Sequence, residues 1–141
     1  EKLIPVIIRE ALSSKSIPIY GDGKNIRDWI YVEDHVDALI QIILKGQIGD
    51  SYCIGGGQLK TNDEIVEIVC NLLDFYNNGN APHLRLKKYV TDRLGHDRRY
   101  AIDSKKIKEQ LNWSPKYNFQ EAINLTIRWY LDHPEWLNKS F

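Results

Sequence analysis

Helix-type and strand-type segments alternate along this chain, and this alternation restricts the fold more than any other feature. Apolar residues recur at helical spacing in five segments, namely Leu3–Leu12, Val36–Leu44, Ile65–Tyr76, Ile107–Leu111 and a last one from Phe119 to the pair His133-Pro134. Four segments between them have strand-type composition: Ile17–Tyr20, Ile26–Val32, Ser51–Ile54 and Leu84–Val90. The alternation predicts an α/β fold.

Local signals predict where helices begin. Thr61 and Glu64 have the spacing of a capping box ahead of the third helix, and Ser104 is the expected N-cap residue of the fourth. The glycine run Gly55–Gly57 stands between a predicted strand and a predicted helix, where phosphate-binding loops occur. Its spacing matches neither of the common nucleotide-binding patterns, so we interpret it as a flexible turn.

The composition is that of a folded protein with one domain or a large part of one. Leu, Ile, Val and Phe together lie well above the roughly 20% below which chains stay disordered. The longest apolar stretches, such as Val36–Leu44, contain polar residues, so no membrane span is expected. The chain contains no Met, which indicates a processed chain or a piece of a longer one, and no secretory leader opens it.

Charge is balanced overall, with 19 basic and 19 acidic side chains, but it is unevenly distributed. Acidic residues dominate from Asp28 to Asp74 and basic residues from Arg85 to Lys108. The basic residues lie on no single helical face, so a phosphorylated small molecule is a better expectation for the partner than nucleic acid. Cys53 and Cys70 are expected to be buried, unpaired thiols in a reducing cytoplasm, and no His or Cys spacing indicates a metal site.

The densest group of functional residue types lies in Pro18–His35. Two glycines flank Asp22 in a tight turn, Arg27 precedes an aromatic strand, and acidic residues open the next helix. Tyr20 and Lys24 have the spacing of a catalytic Tyr/Lys pair, but a glycine turn separates them, so we interpret the match as coincidence. Asp22 itself is expected to face solvent.

This segment resembles the nucleotide-sugar enzymes of the extended short-chain dehydrogenase/reductase superfamily, and among them the dTDP-glucose 4,6-dehydratases. Three further segments agree in order: Glu1–Pro5, Ser51–Gly57 followed by Asn62, and Asp92–Tyr100. The last resembles the family signature Asp-Arg-Pro-Gly-His-Asp-Arg-Arg-Tyr, with Leu94 in place of Pro. Leu111–Pro115 also matches the family's Leu-Gly-Trp-x-Pro bend. The resemblance implies the C-terminal, substrate-binding portion of a Rossmann-type α/β fold.

The resemblance also implies roles for individual residues. Arg27 and Arg93 would bind the diphosphate of a dTDP-sugar, because a guanidinium can bind phosphate oxygens in a bidentate manner. The alternative is a surface salt bridge from each arginine to a nearby aspartate. Asn62 would offer its amide to the substrate or simply cap a helix. Tyr20 and the backbone of Pro18 and Ile19 would form the platform for the base, unless Tyr20 is a core residue.

Further substrate contacts are implied in the first and the signature segments: Lys2, Leu3, Asp92, Leu94, Gly95 and His96. Chain ends fray, which makes Lys2 a weaker expectation. Leu94 is expected to loosen its loop, and His96 either contacts the substrate or holds the loop. Arg98, Arg99 and Tyr100 are expected to be structural, paired with the acidic part of the chain.

As a whole, residues 1–141 are expected to form one nucleotide-sugar-binding C-terminal region, with the NAD-binding Rossmann domain and all catalytic residues in an N-terminal half outside this sequence. The full-length enzyme would be a cytoplasmic homodimer that converts dTDP-glucose to dTDP-4-keto-6-deoxyglucose and water. Two alternatives stay open. One is a fragment of a UDP-sugar epimerase or decarboxylase, and the other is an inactive nucleotide-sugar-binding module.

Overall fold

The computed structural model describes residues 2–137 and has the expected α/β architecture. The helices are α1 (Leu3–Leu12), α2 (Val32–Lys45), α3 (Asn62–Tyr76), α4 (Lys105–Leu111) and α5 (Phe119–Asp132). The strands are β1 (Ile17–Tyr20), β2 (Ile26–Trp29), β3 (Gln58–Thr61) and β4 (Lys87–Val90). Short 3₁₀ helices occupy Asn78–Asn80, His83–Leu86 and Pro134–Leu137. The described residues divide into two compact units.

Unit 1 comprises residues 2–25, 61–98 and 123–137. Its strands β1 and β4 pair in parallel, with Ile17 opposite Lys87 and Tyr20 opposite Val90. Helices α1 and α3 pack against each other, since their apolar stripes supply fully buried side chains. These include Ile7, Ile8, Ile65, Val69 and Leu73. The parallel pair therefore rests on a helical core, and the carboxyl ends of β1 and β4 lie side by side.

Unit 2 comprises residues 26–60 and 99–122, and in it β2 pairs with β3. Its core consists of Ala38 from α2 and Ile107, Leu111 and Trp113 from α4 and the bend after it. The Trp113 indole donates a 3.0 Å hydrogen bond to Asp37, so the polar edge of the ring is satisfied. The Leu111–Pro115 bend thus serves to place an aromatic side chain against α2.

Three of the predicted strands differ from the structure. The expected strand Ile26–Val32 ends at Trp29, because Val32 already begins α2. Ser51–Ile54 is irregular, because its backbone has no strand partner within residues 2–137, although Tyr52 and Ile54 alternate inward and pack on the unit 2 core. The strand ahead of α3 lies later, at Gln58–Thr61. The expected strand Leu84–Val90 begins only at Lys87, since a 3₁₀ turn ends at Leu86.

Of the two predicted N-cap side chains, Thr61 is confirmed and Ser104 is wrong. Thr61 and Glu64 form the complete capping box, with the Glu64 N–H donating to Thr61 Oγ1 at 3.1 Å. Ser104 does precede α4, but its side chain makes no capping bond. Instead, the Asp103 carboxylate accepts the N–H of Lys105 at 2.9 Å. The Asp103 carboxylate, one residue before Ser104, therefore accepts the hydrogen bond at the start of α4 that was predicted for the serine.

The two cysteines have different environments, which corrects the expectation that both are buried. Cys70 lies in the core of unit 1, and burial raises the pKa of its thiol to about 12. Cys53 is exposed, because it alternates with the inward-facing Tyr52 and Ile54. The two sulfurs are free thiols.

The outer side of α2 is apolar and exposed. The exposed large apolar residues there are Val32, Val36, Leu39, Ile40, Ile43 and Leu44, and Ile43 is 81% accessible. A stripe of this size on one helix exceeds the scattered apolar side chains of an ordinary surface. None of the helices in the described part of the chain has the length and apolar character needed to traverse a bilayer.

Candidate functional site

The site begins at the turn that follows β1. Gly21 and Gly23 take left-handed φ values of +62° and +70°, which favour glycine. Asp22 Oδ1 accepts the N–H of Lys24 at 3.0 Å and closes the turn. The turn leaves Tyr20 44% exposed at the end of β1, so its ring is not the core residue that the alternative interpretation required.

Two other segments of unit 1 press against this turn. A Cβ at Gly21 would lie 2.8 Å from Asp92 Oδ2, and one at Gly23 would lie 2.2 Å from Asp63 Oδ1. The turn's backbone bonds to both neighbours, since Gly21 N–H donates to the Val90 carbonyl at 3.0 Å and Asp63 N–H donates to the Gly23 carbonyl at 2.9 Å. The two glycines are therefore needed for close approach as well as for their φ values.

The Asp92–His96 loop is ordered around one carboxylate. Asp92 Oδ1 accepts the backbone N–H of Arg93 at 2.9 Å and bonds His96 Nδ1 at 2.7 Å. The hydrogen bond from His96, aided by the Arg93 N–H, holds the pKa of Asp92 below its usual range. Gly95 has a φ of +69°, and Leu94 projects fully into solvent. His96 and Asp92 thus hold the loop, and the leucine leaves the polar contacts of the loop intact.

Asn62 is the first residue of α3, next to Thr61, which supplies the cap. Its backbone N–H donates to the Asn25 carbonyl at 3.0 Å, and within residues 2–137 its side-chain amide makes no hydrogen bond. Capping is therefore not the role of the Asn62 side chain. The amide is available at a helix N-terminus, where the backbone dipoles favour anions.

Asp63 fixes the same end of α3. Its carboxylate pairs with Lys87 Nζ at 2.9 Å and accepts the Tyr89 hydroxyl hydrogen at 2.8 Å. Burial acts to lower the pKa of Lys87, but hydrogen bonds with Tyr89 and Asp63 raise it overall, so the ammonium stays charged. Strand β4, the start of α3 and the glycine turn are thereby joined by side chains as well as by backbone.

Arg93 and Arg27 have different surroundings. Arg93 is exposed, and within residues 2–137 its guanidinium has no hydrogen bond or ion pair, so the salt bridge to Asp92 or Asp97 is not its role. Arg27 belongs to unit 2, where its guanidinium lies 4.4 Å from the centre of the Tyr100 ring and donates to the Ile26 carbonyl at 2.8 Å. The Tyr100 ring thus packs against Arg27 and supports it.

The other residues expected to contact the substrate are Pro18, Ile19, Lys2 and Leu3. Ile19 is fully buried and Pro18 half-buried in β1, so only their backbone could contact a base. Lys2 is exposed just before α1, and Leu3 begins that helix. Within the described chain neither side chain bonds to the glycine turn. Unit 1 therefore brings together Tyr20, Asn62 and the Asp92–His96 loop.

Two polar residues of the turn were missed or misjudged from the sequence. Asp22 is exposed as expected, but its carboxylate also pairs with Arg98 at 2.7 Å, and this hydrogen bond lowers the pKa of Asp22 to about 2. Asn25 is 2% exposed and bonds to the Asp97 carbonyl. Arg98 is structural as predicted, but its partner lies outside the acidic part of the chain. No local pattern indicates either contact, since more than 70 residues separate the partners.

The glycine run Gly55–Gly57 is not a phosphate loop. It follows an irregular segment and leads into β3 rather than into a helix. A Cβ at Gly56 would lie 1.9 Å from the Trp29 carbonyl oxygen, so the residue is needed for close packing within unit 2. Within residues 2–137 there is also no cluster of three or more His, Cys, Asp or Glu side chains able to hold a metal ion.

The α/β architecture is that of the extended short-chain dehydrogenases/reductases. The chain belongs to the family described as GDP-mannose 4,6 dehydratase, which matches residues 1–126. Its relatives include a dTDP-glucose 4,6-dehydratase from Xanthomonas campestris pv. campestris (strain B100), 45% identical over 139 residues, which are 97% of this chain and 40% of the relative. The resemblance found in the sequence is thereby confirmed.

Two solved structures of such enzymes have a similar fold. The dTDP-glucose 4,6-dehydratase of Bacillus anthracis str. Ames, in complex with NAD, has a TM-score of 0.85 and 44% identity over 96% of this chain and 40% of that chain. The UDP-glucose 4-epimerase of Thermotoga maritima, with UDP-glucose, has a TM-score of 0.79 and 26% identity over 93% of this chain and 40% of that chain. The chain spans about 40% of the length of the curated relatives it matches.

Proposed function

We propose that residues 1–141 are the nucleotide-sugar-binding region of an NAD-dependent dTDP-glucose 4,6-dehydratase. The observation that carries the proposal is the meeting of Tyr20, Asn62 and the Asp92–His96 loop at one turn of unit 1. The segment Asp92–Tyr100 also carries eight of the nine residues of the dehydratase signature. The identity to dehydratases exceeds that to the epimerase, which favours this activity over the alternative.

The proposed roles follow the chemistry of a nucleoside diphosphate. Arg93 and Arg27 bind the diphosphate, because each can donate two charge-assisted hydrogen bonds to its oxygens. Asn62 donates its amide from the start of α3, where anions are favoured. The exposed ring of Tyr20 stacks on the base, and the backbone of β1 at Pro18 and Ile19 borders it.

Supporting contacts come from the residues around these groups. His96 bonds Asp92, and together with Gly95 they shape the loop that presents Arg93. Leu94 contributes backbone only, because its side chain points to solvent. Lys2 and Leu3 contact the substrate from the start of α1.

The rest of the enzyme would lie outside this sequence. No described residue offers a dinucleotide loop, so we assign NAD and the proton-transfer residues to the remaining part of a longer chain. That enzyme would oxidise the sugar at C4, eliminate water across C5 and C6, and return the hydride to C6. We further propose a homodimer in the cytoplasm, where the free thiols of Cys53 and Cys70 would persist.

Calorimetry on the full-length protein tests the proposal. We expect dTDP to bind more tightly than UDP, and we expect NAD-dependent formation of the 4-keto-6-deoxy sugar from dTDP-glucose. The purified 141-residue chain should form none of this product. Preference for UDP would favour an epimerase or decarboxylase, and dTDP binding without any turnover by the full-length protein would favour an inactive binding module.

A further inference from the structure

Asn25 is a buried polar residue without a role in the site described so far. It ends the glycine turn and is 2% exposed. Burying a carboxamide is unfavourable unless hydrogen bonds replace the lost water. Its side-chain nitrogen donates to the Asp97 carbonyl at 3.2 Å, whereas within residues 2–137 its Oδ1 has no partner. Because the Asp97 carbonyl can only accept a hydrogen bond, the amide nitrogen of Asn25, and not its oxygen, must face the loop.

The backbone and the side chain of Asn25 bond to two different segments. Its backbone carbonyl accepts the N–H of Asn62, the first residue of α3. Its side chain bonds the backbone of Asp97, one residue beyond the loop that presents Arg93 and His96. All of these residues belong to unit 1. Asn25 is thus bonded to both segments that carry proposed ligand groups.

Neighbouring contacts hold the loop from the same turn. Asp92 lies against Gly21 at the beginning of the loop, and Asp22 pairs with Arg98 just past its end. The Asp22–Arg98 pair is half exposed, so water screens it and it holds the loop weakly. The hydrogen bond of Asn25 is part-buried, so water competes with it less than with the exposed Asp22–Arg98 pair.

We propose that Asn25 is a positioning residue for nucleotide binding, which sets the Arg93 loop relative to the start of α3. This inference rests on the proposed function. The side chain contacts no ligand itself. Its bonds instead reduce the freedom of the loop, so that less order has to be gained when the diphosphate binds.

The test uses the full-length protein and dTDP as the probe. Asn25→Ala should weaken dTDP binding by about 3- to 30-fold, the range found for residues that couple to a site without touching the ligand. KM should rise while kcat falls less, since the diphosphate contact is made in the ground state as well. Hydrogen exchange of a peptide covering 92–99 should become faster.

Two further variants separate positioning from loss of stability. Asn25→Ser leaves a smaller cavity and a polar group, but it is too short to reach the Asp97 carbonyl, so it should weaken binding as Asn25→Ala does. Val69→Ala removes buried methyl groups from α3 and serves as the control, with a lowered melting temperature and unchanged dTDP affinity.

The outcomes are distinct. If the wild-type protein binds no dTDP, the proposed function is wrong and this inference fails with it. If the wild-type protein binds dTDP and either folded Asn25 variant binds it equally well, the inference alone is wrong. The same holds if Val69→Ala weakens binding as much as the Asn25 variants do, because Asn25 would then act only through stability.

Discussion

Replacing Arg93 by alanine in the full-length protein should weaken dTDP binding without weakening the fold. Its side chain is exposed and forms no hydrogen bond or close ion pair within residues 2–137. The bond that holds the loop here is the Arg93 backbone N–H to Asp92, which alanine retains. Surface substitutions of this kind change the free energy of unfolding by about 0.5 kcal/mol or less. The loss should therefore be almost entirely a loss of binding.

The size of that loss follows from the chemistry of the contact. A hydrogen bond to a charged group contributes about 1.5–3 kcal/mol. With tenfold in affinity per 1.4 kcal/mol, Arg93→Ala should weaken dTDP binding by roughly 10- to 150-fold. Because the diphosphate lies away from the reacting carbons, kcat should fall less than kcat/KM.

Arg27→Ala should behave differently, although the proposed ligand is the same. The guanidinium of Arg27 lies over the Tyr100 ring at 4.4 Å, a contact that contributes about 0.5–1 kcal/mol when exposed. This variant should lose stability as well as dTDP affinity. The contrast between the two arginines follows from their surroundings and not from their motif.

Calorimetry with dTDP, thermal unfolding and steady-state kinetics on the two variants and a control would measure these effects. Arg128→Ala is the matched control, since Arg128 is an exposed arginine on α5 outside the proposed site. It should leave affinity and melting temperature unchanged. If Arg93→Ala also left dTDP affinity unchanged, Arg93 would not bind the diphosphate and the site assignment would be refuted.

Three other properties of the chain can be measured directly. Thiol titration of the native 141-residue chain should modify Cys53 but not Cys70, whose pKa is raised to about 12, and two fast-reacting thiols would contradict the burial of Cys70. The same chain should self-associate through the apolar side of α2, so Ile43→Lys should lower its sedimentation coefficient, whereas a concentration-independent monomer before substitution would refute this. The Asp22 carboxyl should titrate near pH 2 by NMR, because the hydrogen bond with Arg98 lowers its pKa. The pairing therefore stabilises the fold above the ordinary pKa of 3.8, and this contribution is lost as the pH falls through 2. In Arg98→Gln the pKa should return towards 3.8, and an unchanged value would contradict the pairing.

Features that depend on neighbouring residues in the sequence were predicted well. The capping box at Thr61 and Glu64 needs only the correct spacing, and the apolar stripes of α1 and α3 need only helical periodicity. Strand β1 was also placed correctly. For the capping box and the two helices, the defining interactions lie within one or two turns, so the local sequence contains their cause. Strand β1 also needs its partner β4, and its apolar composition indicated only that it could pair.

Features that depend on a distant partner were predicted poorly. Ser51–Ile54 has the alternation of a strand, but a strand forms only where another backbone pairs with it. The same alternation explains why Cys53 is exposed, since its two neighbours face the core. Composition indicates which residues can be buried, whereas the packing partners decide which ones are.

The residues of the candidate site also differ in whether they could be predicted from local sequence. Motif resemblance located groups that can contact a nucleotide diphosphate, such as Arg93 and Asn62, but not the residues that hold them, because Asn25 and Asp22 act on partners 72 and 76 residues away. This difference changes the choice of control. Asp22→Ala looked harmless while Asp22 was expected to face solvent, but it would release Arg98 at the end of the Arg93 loop. An effect of that variant on dTDP affinity would therefore report on loop position and not on general surface charge, and so Arg128→Ala is the proper comparison.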